Sequence, residues 1–328
     1  MPLISRRDVL VGAAATAALA ATAGVAAAEA IARKEHQMKQ FSAAGDQPTG
    51  SPACSPKGPP PIPPAQMTLD FARVYEATGN RLTGPISVEA LRRVGPVGFG
   101  ARVLDIAAGA GALGIPAAFA GASVLGIDIA PGMVQLLSEH LAPFPDAEAR
   151  VMDGQALKVE DASFDLAFSI FGVIFFPDWR KGLREMARVI RPGGQGCVAT
   201  WHRPPGGGPF EIMAQALRAV FPEQAPPAPL EGFTALSDPA RLARELQSAG
   251  FVDVGVEEIQ AVWRGPAGRA YLDELHDLHR YMPPYAALDD RDRRKVDDAI
   301  LRIVDDVAED DGVRLVSPVL LAVATRPV

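Results

Sequence analysis

A chain of 328 residues carrying a formal net charge of −7 and no basic stripe argues against nucleic acid as its main partner. Its composition is 48% hydrophobic but only 6% aromatic, which calls for an aliphatic core of the kind buried parallel strands build. Two cysteines, Cys54 and Cys197, form neither a disulfide framework nor a metal or redox motif and read as free thiols.

In chain order, "SRRDVLVG" sets Arg6 and Arg7 before an uncharged run, and "AAAEA" gives a small-residue exit. A basic region, a modest apolar region and a cleavage-like site predict a twin-arginine export signal over residues 1–30. The run is alanine-rich and too weakly hydrophobic for a stable membrane span. The competing reading is a frayed alanine-rich helix before a cytoplasmic enzyme. Residues 31–66, rich in Pro, Gly and Ser, predict a linker unable to pack a core.

Structure is expected from residue 67 to 328. "MTLDFARVYEATG" has a helical apolar rhythm with Gly79 as its stop, and residues 86–94 read as a second helix. Strands are predicted at 102–106, 123–127, 149–152, 164–170 and 196–201. Helices are predicted between them at 113–120, 131–140 and 179–190, the last closed by "RPGG". That alternation implies a parallel sheet with right-handed crossovers. Beyond it come helices at 210–221 and 239–249, the latter capped by Asp238 and stopped by Gly250. A strand at 252–263, a charged helical insertion at about 267–311 and a closing strand "VSPVLLAVATRP" complete the chain. In the insertion Val296, Ile300 and Val304 mark one apolar face, which predicts a solvated lid helix over a substrate cleft.

The chemistry is carried by "VLDIAAGAGALG", where Gly109, Gly111 and Gly114 form a G-x-G-x-x-G between a strand and a helix. Such a turn brings ligand close to backbone and exposes helix N–H groups, but dehydrogenases and methyltransferases both use it. Asp105, four residues before the first glycine, would repel a pyrophosphate and suits a ligand with a positive amino group. Asp128, ending the next strand, can accept hydrogen bonds from ribose hydroxyls in either ligand class.

With "DGQAL" and "RVIRPGG" following in order, residues from about 71 to 328 resemble the class I S-adenosylmethionine-dependent methyltransferases. The likeness is greatest to the small-molecule branch related to ubiquinone and menaquinone biosynthesis. The resemblance implies an α/β, Rossmann-like fold: a seven-stranded, mostly parallel sheet with helices on both faces, its last strand antiparallel after a helical insertion. It implies S-adenosyl-L-methionine as cofactor and a small-molecule methyl acceptor. Asp105, Ala107, Gly109 and Gly111 would line the methionine end. Asp128 would hold the ribose beside Ile129 and Met133. Asp153 would contact the adenine amino group, with Gln155 and Ala156 shaping its slot. Ser169 would face the amino acid moiety, and Tyr75 would cover the cofactor. Each also has a plain structural reading: Asp105 as a cap of the following turn, Asp153 with Gly154 as an ordinary turn. Ala110 stands where the family often has Thr or Ser.

Direct displacement at a sulfonium methyl needs alignment above all, and a base only when the nucleophile starts protonated. His202, just past the fifth strand, is the candidate base; its competing reading is an exposed loop histidine. His276 and His279, one helical turn apart near Glu274 and Asp277, could ligate a metal, but a solvated helix face is the expectation, and no metal is required. Phe171, Phe175, Trp179 and Trp201 lie near the expected mouth, either to stack on a flat substrate or as core. A degenerate, exported methyltransferase fold that only binds ligand is the alternative, and a dehydrogenase stands third. The export signal points outside the cytoplasm, whereas the supply of cofactor points inside it.

Overall fold

The computed structural model describes residues 63–202, 206–224, 229–310 and 312–328; the export signal, Cys54 and nearly all of the linker expected over 31–66 lie outside these residues. Pro64–Met67, at that linker's end, forms a 3-10 turn, and Gln66 Nε2 donates to the Tyr281 carbonyl at 2.9 Å.

Two helices come first, α1 (Leu69–Thr78) and α2 (Asn80–Arg93). Thr68 caps α1, its hydroxyl accepting the Phe71 N–H at 3.2 Å. The alternating half follows as β1 (Arg102–Ile106), α3 (Gly114–Phe119), β2 (Ser123–Asp128), α4 (Pro131–Leu141), β3 (Ala147–Val151), β4 (Phe164–Ile170), α5 (Trp179–Val189) and β5 (Ile190–Trp201). Next come α6 (Pro209–Val220), α7 (Glu231–Ala235), α8 (Pro239–Ser248) and β6 (Val252–Gly265). The insertion resolves into α9 (Gly268–Arg280), α10 (Pro283–Ala286) and α11 (Asp290–Asp306), and β7 (Ala308–Glu309) and β8 (Gly312–Thr325) end the fold.

Seven strands run in the order β3-β2-β1-β4-β5-β8-β6, and the two-residue β7 pairs with β8 as an eighth. β1 to β5 are mutually parallel, while β8 lies antiparallel between β5 and β6. Val103, Leu104 and Ile106 of β1 are buried, as expected of a strand covered on both faces. Asp238 caps α8 by accepting the Arg241 N–H, and Gly250 follows in the left-handed region at φ +105°.

Three local expectations are corrected. α2 begins at Asn80 rather than Ile86, because Gly79 stays right-handed (φ −69°, ψ −40°) and the helix runs through Gly84 and Pro85. "RPGG" is not a turn outside the strand but a bulge within β5, where the pairing slips from Phe164↔Ile190 to Leu166↔Gln195. His279 is not on a solvated face: it is 2% exposed, packed between the rings of Tyr271 and Tyr285 at 6.4 and 5.7 Å. α11 buries Val296, Ala299, Ile300 and Val304 and packs on α6. Among the described residues no helix is long and apolar enough to cross a membrane.

Candidate functional site

Open parallel sheets bind ligands beyond the carboxyl ends of their strands, where the strand order reverses. Here that point lies between β1 and β4. A crevice sits there, lined by Tyr75 of α1, Asn80 and Thr83 of α2, Asp105 of β1, the Ala107–Gly109 turn and Ile170. A wider cleft, lined by Arg102, Ser123, Arg150, Lys158 and Glu160, lies at the opposite, amino ends of the strands and carries no glycine turn.

The turn after β1 is left-handed at Ala107, Gly109 and Gly111 (φ +59°, +54° and +91°). The backbone at Gly111 favours glycine: at φ +91° an L side chain is strained, and its Cβ would press on the side-chain ends of Leu137 and Ile115, at 2.6 and 2.7 Å. Asp105, 2% exposed, accepts the Gly114 N–H at 3.0 Å, so it caps the start of α3 while it lines the crevice. The structural and the ligand-facing readings of this residue are compatible. Burial pushes its carboxyl up to about 7, opposed by the Gly114 hydrogen bond and aided by the negative Asp128.

Asp128 braces the same turn from β2. Its two oxygens accept the Gly109 N–H at 2.9 Å and the Ala130 N–H at 2.8 Å. Desolvation raises its pKa against those bonds. A carboxylate offers about four acceptor sites, so lone pairs remain beyond the two used. Tyr75 stands over Gly109, whose Cβ position lies 3.9 Å from its ring, and packs so closely on Gly79 that a Cβ there would come within 2.7 Å. Burial, with Asp128 nearby, pushes the Tyr75 phenol up to about 12, so it stays protonated.

Met133 is buried with Ala72, Ala110 and Leu136 where α4 meets α1, and Ile129 is exposed beside Asp128. Asp153 closes an ordinary turn, accepting the Gln155 N–H at 2.8 Å and its side-chain amide at 3.0 Å, while Gln155 accepts the Asp178 N–H and Ala156 is exposed. Ser169 is buried, its hydroxyl accepting the Val173 N–H at 3.0 Å. His202 is engaged elsewhere: its Nδ1 meets Glu258 of β6 at 2.5 Å, and it does not line the crevice. Phe171 stacks on Trp201 at 4.3 Å, and Trp179 is buried beneath the Arg180 guanidinium; only Phe175, against Phe233, is exposed among the four aromatics.

Sequence reasoning missed Asn80, Thr83 and Ser87, which line the crevice from α2. The spacing i, i+3, i+7 was the available signal, hidden by Gly84 and Pro85. No Lys, Arg or His lines the crevice among the described residues. A tight backbone turn beside a buried acid, without a cation, fits a positively charged ligand and opposes a pyrophosphate.

A family model described as a methyltransferase domain matches residues 103–194. The chain is similar to a demethylmenaquinone methyltransferase of Corynebacterium kroppenstedtii, 32% identical over 216 residues, covering 62% of this chain and 89% of that one. It is equally similar to an uncharacterized protein of Mycobacterium bovis, 32% identical over 216 residues, covering 65% and 72%. Among solved structures, a Haemonchus contortus phosphoethanolamine N-methyltransferase bound to S-adenosylhomocysteine shares the fold, with a TM-score of 0.50 and 20% identity over 80% of this chain and 58% of that one.

Proposed function

The chain belongs to the class I S-adenosylmethionine-dependent methyltransferases, in the small-molecule branch related to quinone biosynthesis, and on that premise we propose that its crevice binds the cofactor and aligns a small organic acceptor for direct displacement. The carrying observation is the turn from Ala107 to Gly111, left-handed at three residues, flanked by Asp105 and Asp128 and free of cationic side chains in its described lining.

S-adenosylmethionine, when bound, supplies an electrophilic methyl group on a positive sulfur. The chain supplies placement. Asp128, using lone pairs left over from Gly109 and Ala130, holds the ribose, with Ile129 and Met133 beside it. Asp105 attracts the cationic methionine end against Ala107, Gly109 and Gly111. Asp153, Gln155 and Ala156 shape the adenine slot, Ser169 faces the amino acid moiety, and Tyr75 closes over the turn and excludes water. Such alignment is worth roughly 7–11 kcal/mol of barrier. Because His202 is paired with Glu258, a base role for it requires an acceptor that reaches past the crevice.

The test combines calorimetry with transfer of a radiolabelled methyl group from S-adenosylmethionine to a panel of small acceptors that includes reduced 1,4-naphthoquinone. Micromolar binding with label transferred to an acceptor is expected. Binding without transfer to any member would instead favour a ligand-binding protein on the same fold, and preference for NAD would overturn the cofactor assignment.

A further inference from the structure

The wall that α2 gives to the crevice is polar where an inward helix face should be apolar. Asn80, Thr83 and Ser87 line it, and Thr83 and Ser87 are buried. Ser87 has spent its hydroxyl, donating to the Thr83 carbonyl at 3.0 Å. Thr83 has not: its hydroxyl lies 3.5 Å from both the Gly79 carbonyl and Asn80 Oδ1, the outer limit of a hydrogen bond. Among the described residues, that long contact is the sole side-chain partner of Asn80. Together they offer two amide N–H donors and one hydroxyl donor toward the crevice.

The amino acid tail of S-adenosylmethionine carries an ammonium and a carboxylate. Acids are present for the first: Asp105 lines the crevice and Asp128 braces its turn. For the second, the described lining holds no basic side chain. Arg81, the cation beside Asn80 on α2, is committed elsewhere: it pairs with Glu274, donates to the Arg264 carbonyl and sits 4.9 Å over the Trp263 ring.

We propose that Asn80 and Thr83 receive the cofactor's α-carboxylate, so that the zwitterion is recognised by neutral donors on α2 instead of by a basic residue. This rests on the cofactor reading given above. A neutral recognition site also avoids placing a cation beside the sulfonium, which like-charge repulsion would penalise.

The experiment compares S-adenosylmethionine with its decarboxylated analogue by calorimetry, on the full chain and on Asn80→Leu, Thr83→Val and Asn80→Asp. Thr83→Val keeps the side-chain shape, so its fold is preserved. Asn80→Leu and Thr83→Val are each expected to weaken S-adenosylmethionine about tenfold, as loss of a hydrogen bond to a charged group does, and to leave the analogue's affinity unchanged. Asn80→Asp, which sets a negative charge against the carboxylate, is expected to make the analogue the tighter ligand. Equal weakening of both ligands, or no weakening of either, overturns the proposal. If the unaltered chain binds neither nucleoside, it is the cofactor reading itself that fails.

Discussion

At the head of β1 and β2, Asp105 is buried and Asp128 half-buried among backbone N–H groups that donate to them: Gly114 to the first, Gly109 and Ala130 to the second. In the insertion and the strand before it, Trp263, Tyr271 and His279 are also buried, yet Nε1, the hydroxyl and Nε2 have no partner among the described residues. The rings themselves interlock, Trp263 edge-on to Tyr271 at 5.6 Å and Tyr271 against His279. The first arrangement satisfies its carboxyl groups with backbone donors at low solvent access, which holds them in place for a ligand. The second holds the insertion by aromatic packing and tolerates polar atoms that cost stability.

The difference is sharpest at Asp128, where one side chain fixes the turn and, in the proposed site, the ligand. Asp128→Ala is expected to raise the Kd for S-adenosylmethionine about a thousandfold, from two lost hydrogen bonds to a charged group. It should also lower stability by about 1–3 kcal/mol for each N–H left unpaired. Asp128→Asn, able to keep one backbone bond, should recover part of the stability without the affinity. Unchanged binding in the alanine variant, measured by calorimetry, breaks the ligand half of the comparison.

Protonation separates the two regions next. The folded chain holds the Asp105 proton up to about pH 7, while the unfolded chain releases it near pH 4. Stability therefore drops as pH rises through that interval, by about 3–4 kcal/mol, and the loss persists above it. Asp105→Asn should be the more stable protein at pH 8 and the poorer binder. His279 slopes the other way. Burial, with His276 beside it, holds it down to about 4, so the unfolded chain takes up the proton first and stability falls as pH drops from about 6.5 toward 4. The loss is about 3 kcal/mol, and His279→Leu removes it. Urea unfolding of the parent between pH 4 and 6.5 therefore sums two opposing slopes that the variants expose singly. Parallel curves for parent and variants would show that neither group titrates as the two environments require.

What could be read from residues alone follows the same division. The glycine turn was legible because its left-handed positions and its capping acid lie within a dozen residues, and Asp128 ends the very next strand. Asn80 and Thr83 were not, since Gly79 looked like a stop and the second helix was expected only from residue 86, whereas the chain continues right-handed through Gly79, Gly84 and Pro85. His279 reads as solvated because its own segment is charged; the rings that bury it come from Tyr271 on its helix and from Tyr285 on the next, with Trp263 of β6 beyond. β7, two residues long, carries no period to detect. The parallel core strands β1, β2, β4 and β5 were legible as apolar runs and β6 by its alternation, whereas the antiparallel sense of the last strand was implied by the family resemblance and not by its own residues.

The smallest expected effect is the most pointed test of the insertion. Tyr271→Phe removes a buried hydroxyl without a partner among the described residues and keeps the ring that packs edge-on to Trp263. A group that pays desolvation and gains no hydrogen bond costs about 1 kcal/mol or more, so the variant should be more stable by about 1 kcal/mol. For a domain of this size that is a rise of roughly 2 °C in Tm. A fall would mean that the hydroxyl is satisfied by a buried water, which needs polar partners of its own. Trp263 Nε1 and His279 Nε2 are the adjacent candidates, and the three would then form a hydrated network as purposeful as the one around Asp128.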